Sequence, residues 1–143
     1  MDRKNRKAPG IPGWAKTVIT VAVIVGAVAL IFTQLPRGAF STDLSRVGQG
    51  TPALVVARDI NFLAGAEVMD LLNTIRPEYG DRVEFLAAHL GHPDGQAFAR
   101  RHDMRDATVV LFSGDGRRLA TLRAPQGADQ VREALREANI PPN

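Results

Sequence analysis

Cysteine is missing from all 143 residues. That absence excludes disulfides, thiolate nucleophiles, cysteine zinc sites and iron–sulfur clusters. Lysine is missing from residues 38–143, which carry 12 Arg against 14 Asp and Glu, a balance of −2. The whole chain is +3, so its basic excess lies in residues 1–37, where Arg3, Lys4, Arg6, Lys7, Lys16 and Arg37 face only Asp2. A mildly acidic domain is a poor footprint for a polyanion, and no nucleic-acid partner is expected. Gly114-x-Gly116 is followed by no Lys or Ser/Thr at phosphate-loop spacing, and no strained nucleophile elbow accompanies a Ser, His and Asp set. No internal repeat is evident, and the length suits one domain with at most an appendage.

One long apolar run is present. Residues 17–33 (TVITVAVIVGAVALIFT) are uncharged, and extending the run to 14–35 adds only Lys16. About 20 apolar positions suffice for a helix to cross a hydrocarbon core of about 30 Å. β-Branched residues, common here, weaken a helix in water, but in lipid the backbone must satisfy itself internally. Trp14 stands where an amphipathic ring meets the headgroups, and Pro36 and Gly38 stop the helix. Bases precede the span in greater number than they follow it. The positive-inside rule therefore puts the N-terminus in the cytoplasm and the rest outside, which in a bacterium is the periplasm. The competing reading is a cleaved signal peptide; the run is longer than an ordinary signal core, and only Gly38-Ala39 approaches a cleavage site. Ala22 and Gly26 form a small-xxx-small spacing at which another helix can pack, although such spacings are common in spans of this composition.

The expected organisation is a cytoplasmic basic tail over 1–13, a transmembrane helix over 14–35, a Gly/Ser/Thr-rich linker over 36–51 with one helical turn near 42–47, and an extracytoplasmic domain over 52–143. Within that domain, 53–57 (ALVVA) reads as a buried strand. Residues 66–79 carry Val68, Leu71, Leu72 and Ile75 at helical spacing and end at Gly80. A strand over 82–89, a short helix over 94–102 and a strand over 108–112 follow. Ser113-Gly114-Asp115-Gly116 reads as a hairpin turn with glycines free to take positive φ. A strand over 118–123 and a helix over 128–140 close the domain. The order is β-α-β-α-β-β-α, with two crossovers long enough for parallel strands and one antiparallel hairpin.

This order resembles the thioredoxin fold family. Tyr79-Gly80-Asp81-Arg82-Val83 is similar to the family's join between first helix and second strand, TVVLFSGDG (108–116) to its third strand and turn, and ADQVREALREA (128–138) to its closing helix. The resemblance covers about residues 50–140. It implies thiol chemistry at a C-x-x-C after the first strand, which falls here on Phe62-Leu63-Ala64-Gly65, with neither cysteine nor a serine in its place. The family's buried acid falls near Val56, its helix proline on Asp70, and its cis-proline on Ala107, where a trans bond is expected because a non-proline cis bond costs about 2.5–4 kcal/mol. With the redox positions at Phe62, Gly65 and Ala107 all replaced, the resemblance implies a scaffold that binds rather than an enzyme.

His89-x-x-His92 with Asp94, and His102-Asp103 beyond, carry metal-ligand residue types, but the loop is one the fold requires anyway, and no metal or cofactor is expected. Arg100, Arg101 and Arg105 with Asp103 and Asp106 read as a self-compensated solvated face ahead of an anion patch. Arg117 and Arg118 at the hairpin tip, with Arg123, are candidates for an acidic lipid or protein partner. Phe62 and Leu63 are apolar on what would be a functional loop, as docking residues or as residues tucked inward.

The expected function is that of a redox-inactive accessory subunit of a larger bacterial inner-membrane complex, respiratory or photosynthetic, in contact with other subunits and the bilayer. The alternatives are a tethered chaperone-like module, for example in cytochrome maturation, and a metal-dependent enzyme using the His89/His92 loop.

Overall fold

The computed structural model describes residues 9–34 and 39–143. The tail residues 1–8, and residues 35–38 with the expected helix stop at Pro36 and Gly38, lie outside the described residues. The chain divides into two compact units, Met1–Gly38 and Ala39–Asn143.

In the first unit, α1 (Gly13–Gln34) runs 22 residues, about 33 Å at 1.5 Å per residue. It is the one helix among the described residues long and apolar enough to cross a membrane. Two of its hydroxyls bond within the helix: those of Thr17 and Thr20 donate to the Gly13 and Lys16 carbonyls at 3.3 and 2.9 Å. A Cβ on Gly26 would meet nothing within 4 Å.

In the second unit the elements are β1 (Ala53–Arg58), α2 (Leu63–Tyr79), β2 (Glu84–His89), α3 (Pro93–Arg101), β3 (Thr108–Phe112), β4 (Arg118–Arg123) and α4 (Ala128–Glu137). The sheet order is β2-β1-β3-β4. β1 and β2 are parallel, whereas β3 is antiparallel to both β1 and β4. The second crossover, long enough for a parallel strand, delivers an antiparallel one. After α3, residues 102–107 bring the chain to the Arg58 end of β1 before β3 starts, so β3 must run the other way. Connection length alone permits a parallel strand without requiring one.

Alternate residues of each central strand feed two cores, as the period of two requires. Leu54, Val56, Val109 and Leu111 face α2 and α4, packing with Val68, Leu72, Ile75, Val131 and Leu135. Ala53, Val55, Ala57, Val110 and Phe112 face α3 and Phe98. Val56, at the position matched to the family's buried acid, is fully buried and apolar. An ion pair from Arg132 to Glu78 (3.0 and 2.6 Å) joins α4 to α2.

The linker expected over 36–51 is, from residue 40 on, part of this unit. Phe40 is buried, tilted against Phe85 at 5.7 Å with the Arg76 guanidinium 5.4 Å from its ring centroid. Ser41 bridges Leu86, its carbonyl accepting from the Ala87 amide. Leu44–Arg46 form a 3-10 turn capped by Asp43, and Leu44 and Val47 pack on the α3 core. The segment's Gly and Ser content hid these anchors. At the hairpin, Gly116 takes positive φ (86°), but Gly114 is required for closeness: a Cβ there would stand 2.5 Å from the Gly50 carbonyl oxygen.

His102 sits against Phe98 and Phe112, with ring centroids 4.4 and 4.9 Å away. Partial burial, with Arg118 and Arg101 adding to it, holds its pKa below the ordinary histidine value of about 6.5. The unfolded chain then binds the proton more readily, so stability present above pH 6.5 is lost as pH falls toward the lower folded-state value. Lowering the pH from about 7.5 to 5.5 is expected to reduce the Tm of the wild type more than that of His102→Gln, as followed by thermal unfolding.

Candidate functional site

The first helix of the folded domain starts without a cap of its own. Phe62 occupies the N-cap position of α2 and makes no side-chain bond there, although the first amides of any helix need acceptors. The acceptor comes from far along the chain. Asp106, just before β3, accepts from the Gly65 amide through Oδ2 at 3.1 Å and from the Asp59 amide through Oδ1 at 2.8 Å. One carboxylate thus ties the start of α2 and the exit of β1 to the loop entering β3. It also places negative charge at the positive end of the helix.

Gly65 makes this approach possible. A Cβ on it would lie 2.2 Å from Asp106 Oδ1 and 3.3 Å from the Arg58 Cα. Beside Asp106, Ala107 is buried and left-handed, with φ 65°. Its amide donates to the Ala57 carbonyl at 2.9 Å, while its carbonyl accepts from the Ala124 amide at 3.0 Å, so one residue reaches both β1 and the chain beyond β4. No peptide bond among the described residues is cis. A proline, matched here by the family resemblance, would lack the amide and fix φ near −65°.

The loop between β1 and α2 is held internally as well. Asp59 Oδ1 accepts from the Asn61 amide and side chain at 2.9 and 2.8 Å, and the Phe62 amide donates to the Asp59 carbonyl at 3.2 Å. Its apolar side chains turn outward: Ile60, Phe62 and Leu63 are 64, 60 and 71% exposed. Phe62 and Leu63, for which docking and an inward position were the two readings, are not tucked inward. The helix also begins earlier than the apolar periodicity placed it, at Leu63 instead of 66, because the remote cap supports a turn that has no local cap.

Other candidates are not brought together with this loop. Arg117 and Arg118 lie at the opposite end of the sheet, exposed; Arg117 pairs with Asp115 at 2.9 Å and Arg118 donates to the His102 carbonyl at 2.6 Å. Arg123 pairs with Asp103 at 3.5 Å. The self-compensated face expected of the 100–106 cluster is thereby corrected: Asp106 serves backbone amides rather than the neighbouring arginines. The His89 and His92 rings lie 4.6 Å apart, with His89 Nδ1 accepting from the Gly91 amide, while His102 belongs to the α3 core. No group of three or more His, Asp or Glu able to hold a metal occurs among the described residues. Asp70 is exposed on α2. Sequence reasoning missed Ile60 and Asp106; the missing N-cap before α2 was the available signal for the second.

Two outcomes follow. Gly→Ala within a helix ordinarily stabilises by about 1 kcal/mol, but Gly65→Ala is expected to lower unfolding stability by about 2 kcal/mol through expulsion of Asp106, and to add little to Asp106→Ala in a double-mutant cycle followed by denaturant unfolding. Ala107→Pro is expected to cost about 3 kcal/mol or more in the same measurement.

No family model matches the sequence, and no curated protein matches it. Solved structures do match the fold. A thioredoxin from Thermus thermophilus is 15% identical with a TM-score of 0.60, covering 71% of this chain and 86% of that one. A thioredoxin-like protein from Clostridium perfringens is 14% identical with a TM-score of 0.60, covering 71% and 80%. Thioredoxin-2, described as a component of malaria parasite protein secretion machinery, is 15% identical with a TM-score of 0.54, covering 61% and 82%. The chain carries an α/β domain of thioredoxin-like fold, as the order of its elements implied.

Proposed function

We propose that this chain is a redox-inactive accessory subunit of a larger bacterial inner-membrane complex, respiratory or photosynthetic in kind, and that it acts through protein–protein contacts and not as an enzyme. The observation that carries the reading is the loop between β1 and α2. It stands where the family resemblance puts a thiol pair, and it presents Ile60, Phe62 and Leu63 to solvent instead. Three large apolar side chains held outward on one well-bonded loop favour docking over an incidental exposure. The absence of cysteine supports the redox-inactive part of the reading. The apolar length of α1 and the basic residues before it support a single-pass anchor with the N-terminus cytoplasmic and the domain periplasmic. In this reading α1 contacts lipid and neighbouring helices, with Ala22 and Gly26 on a packing face.

A tethered chaperone-like module uses the same exposed loop, and stoichiometry separates the two. Purification of the full chain in mild detergent is expected to bring down partner chains in fixed ratio, and the double variant Phe62→Ser/Leu63→Ser is expected to lose them. Varied clients in substoichiometric amounts would instead favour the chaperone reading. Migration on a native gel as a free monomer of its own mass would sink the subunit reading.

A further inference from the structure

The apolar side chains of the docking loop sit in an acidic stretch. From residue 59 to residue 75 the chain carries Asp59, Glu67 and Asp70 and no basic residue. Asp106 adds a fourth carboxylate, brought in from the β3 side at the Asp59 and Gly65 amides. Two cations lie near. Arg58 is half-buried, with its Nη1 3.7 Å from the Met69 sulfur, and Arg105 is exposed. A bare helix N-terminus favours anions through its free amides and dipole. Here the Gly65 amide is already taken by a carboxylate of the same chain, which offsets that preference.

We propose that Asp106 is the specificity-determining residue of this surface, fixing the loop with Ile60, Phe62 and Leu63 outward and selecting a partner segment that is apolar at its centre and basic at its flanks. The proposal rests on the docking reading given above. Apolar contact supplies attraction to any greasy segment; the carboxylates around it set which flanks are tolerated, by attraction to bases and repulsion of acids. Asp106 is a positioning residue for the apolar side chains and a direct charge for the flanks. An isosteric amide keeps one acceptor for the loop while removing the charge.

The test uses the full chain in detergent micelles and two fluorescent peptides with the same apolar core, one flanked by lysines and the other by glutamates, read by anisotropy. The lysine-flanked probe is expected to bind the wild type about threefold to tenfold more tightly, the size of one or two exposed ion pairs. In Asp106→Asn the preference is expected to fall by at least half, with both probes still binding and thermal unfolding still cooperative. Phe62→Ser/Leu63→Ser is expected to abolish binding of both. Equal binding of the two probes to the wild type, or a preference unchanged in Asp106→Asn, overturns the role of Asp106 while loss of binding in the serine variant keeps the docking surface. Binding of neither probe to the wild type, or binding that survives the serine variant, overturns the docking surface and this proposal together.

Discussion

The thioredoxin-like domain turns on one carboxylate. Asp106 closes the start of α2 and the end of β1 at once, across 41 and 47 residues of sequence. Neither element supplies this closure itself. α2 is preceded by Phe62, which has no capping atom, and the bonds that Asp59 makes within the loop leave the Asp59 and Gly65 amides to Asp106. Gly65 leaves the space for the carboxylate, and the left-handed Ala107 sets the chain behind it against Ala57 and Ala124. Asp106, Gly65 and Ala107 therefore form one local device. An internal anion thus sits at the N-terminal end of α2, where the helix dipole favours negative charge.

The sheet gives this device its place. β1 is parallel to β2 and antiparallel to β3, so the β1–α2 loop and the approach to β3 meet at one end. The hairpin tip with Arg117 and Arg118 lies at the other end, against the segment that enters β1. The apolar surface and the hairpin arginines, both singled out as partner candidates, are thus separate surfaces. The proposed docking end exposes apolar side chains and has the Asp59 and Asp106 carboxylates bonded to its backbone amides; the hairpin end has its arginines engaged with Asp115 and the His102 carbonyl.

Much of the fold could be read directly. Residues 53–57 and 109–112 are continuous apolar runs because both sheet faces are covered, and α2 shows its helical spacing through Val68, Leu72 and Ile75. What could not be read was non-local. The direction of β3 depends on where residues 102–107 lead the chain, not on their composition. Phe40 and Ser41 looked like linker because their partners, Phe85 and Leu86, lie about 45 residues on. Asp106 looked like one half of a surface charge pair because nothing nearby in sequence marks the amides of Asp59 and Gly65 as its partners. Phe62 and Leu63 were found through the resemblance alone, and their outward direction required the loop geometry.

Amide hydrogen exchange of the full chain tests the carboxylate latch most directly. With the latch in place, the Gly65 and Asp59 amides are protected in the wild type and lose at least about tenfold of that protection in Asp106→Ala, the size of one lost hydrogen bond, while amides of β1 inside the sheet keep theirs. Gly65 and Asp59 amides that exchange freely in the wild type, or that exchange no faster once Asp106 is removed, would contradict it.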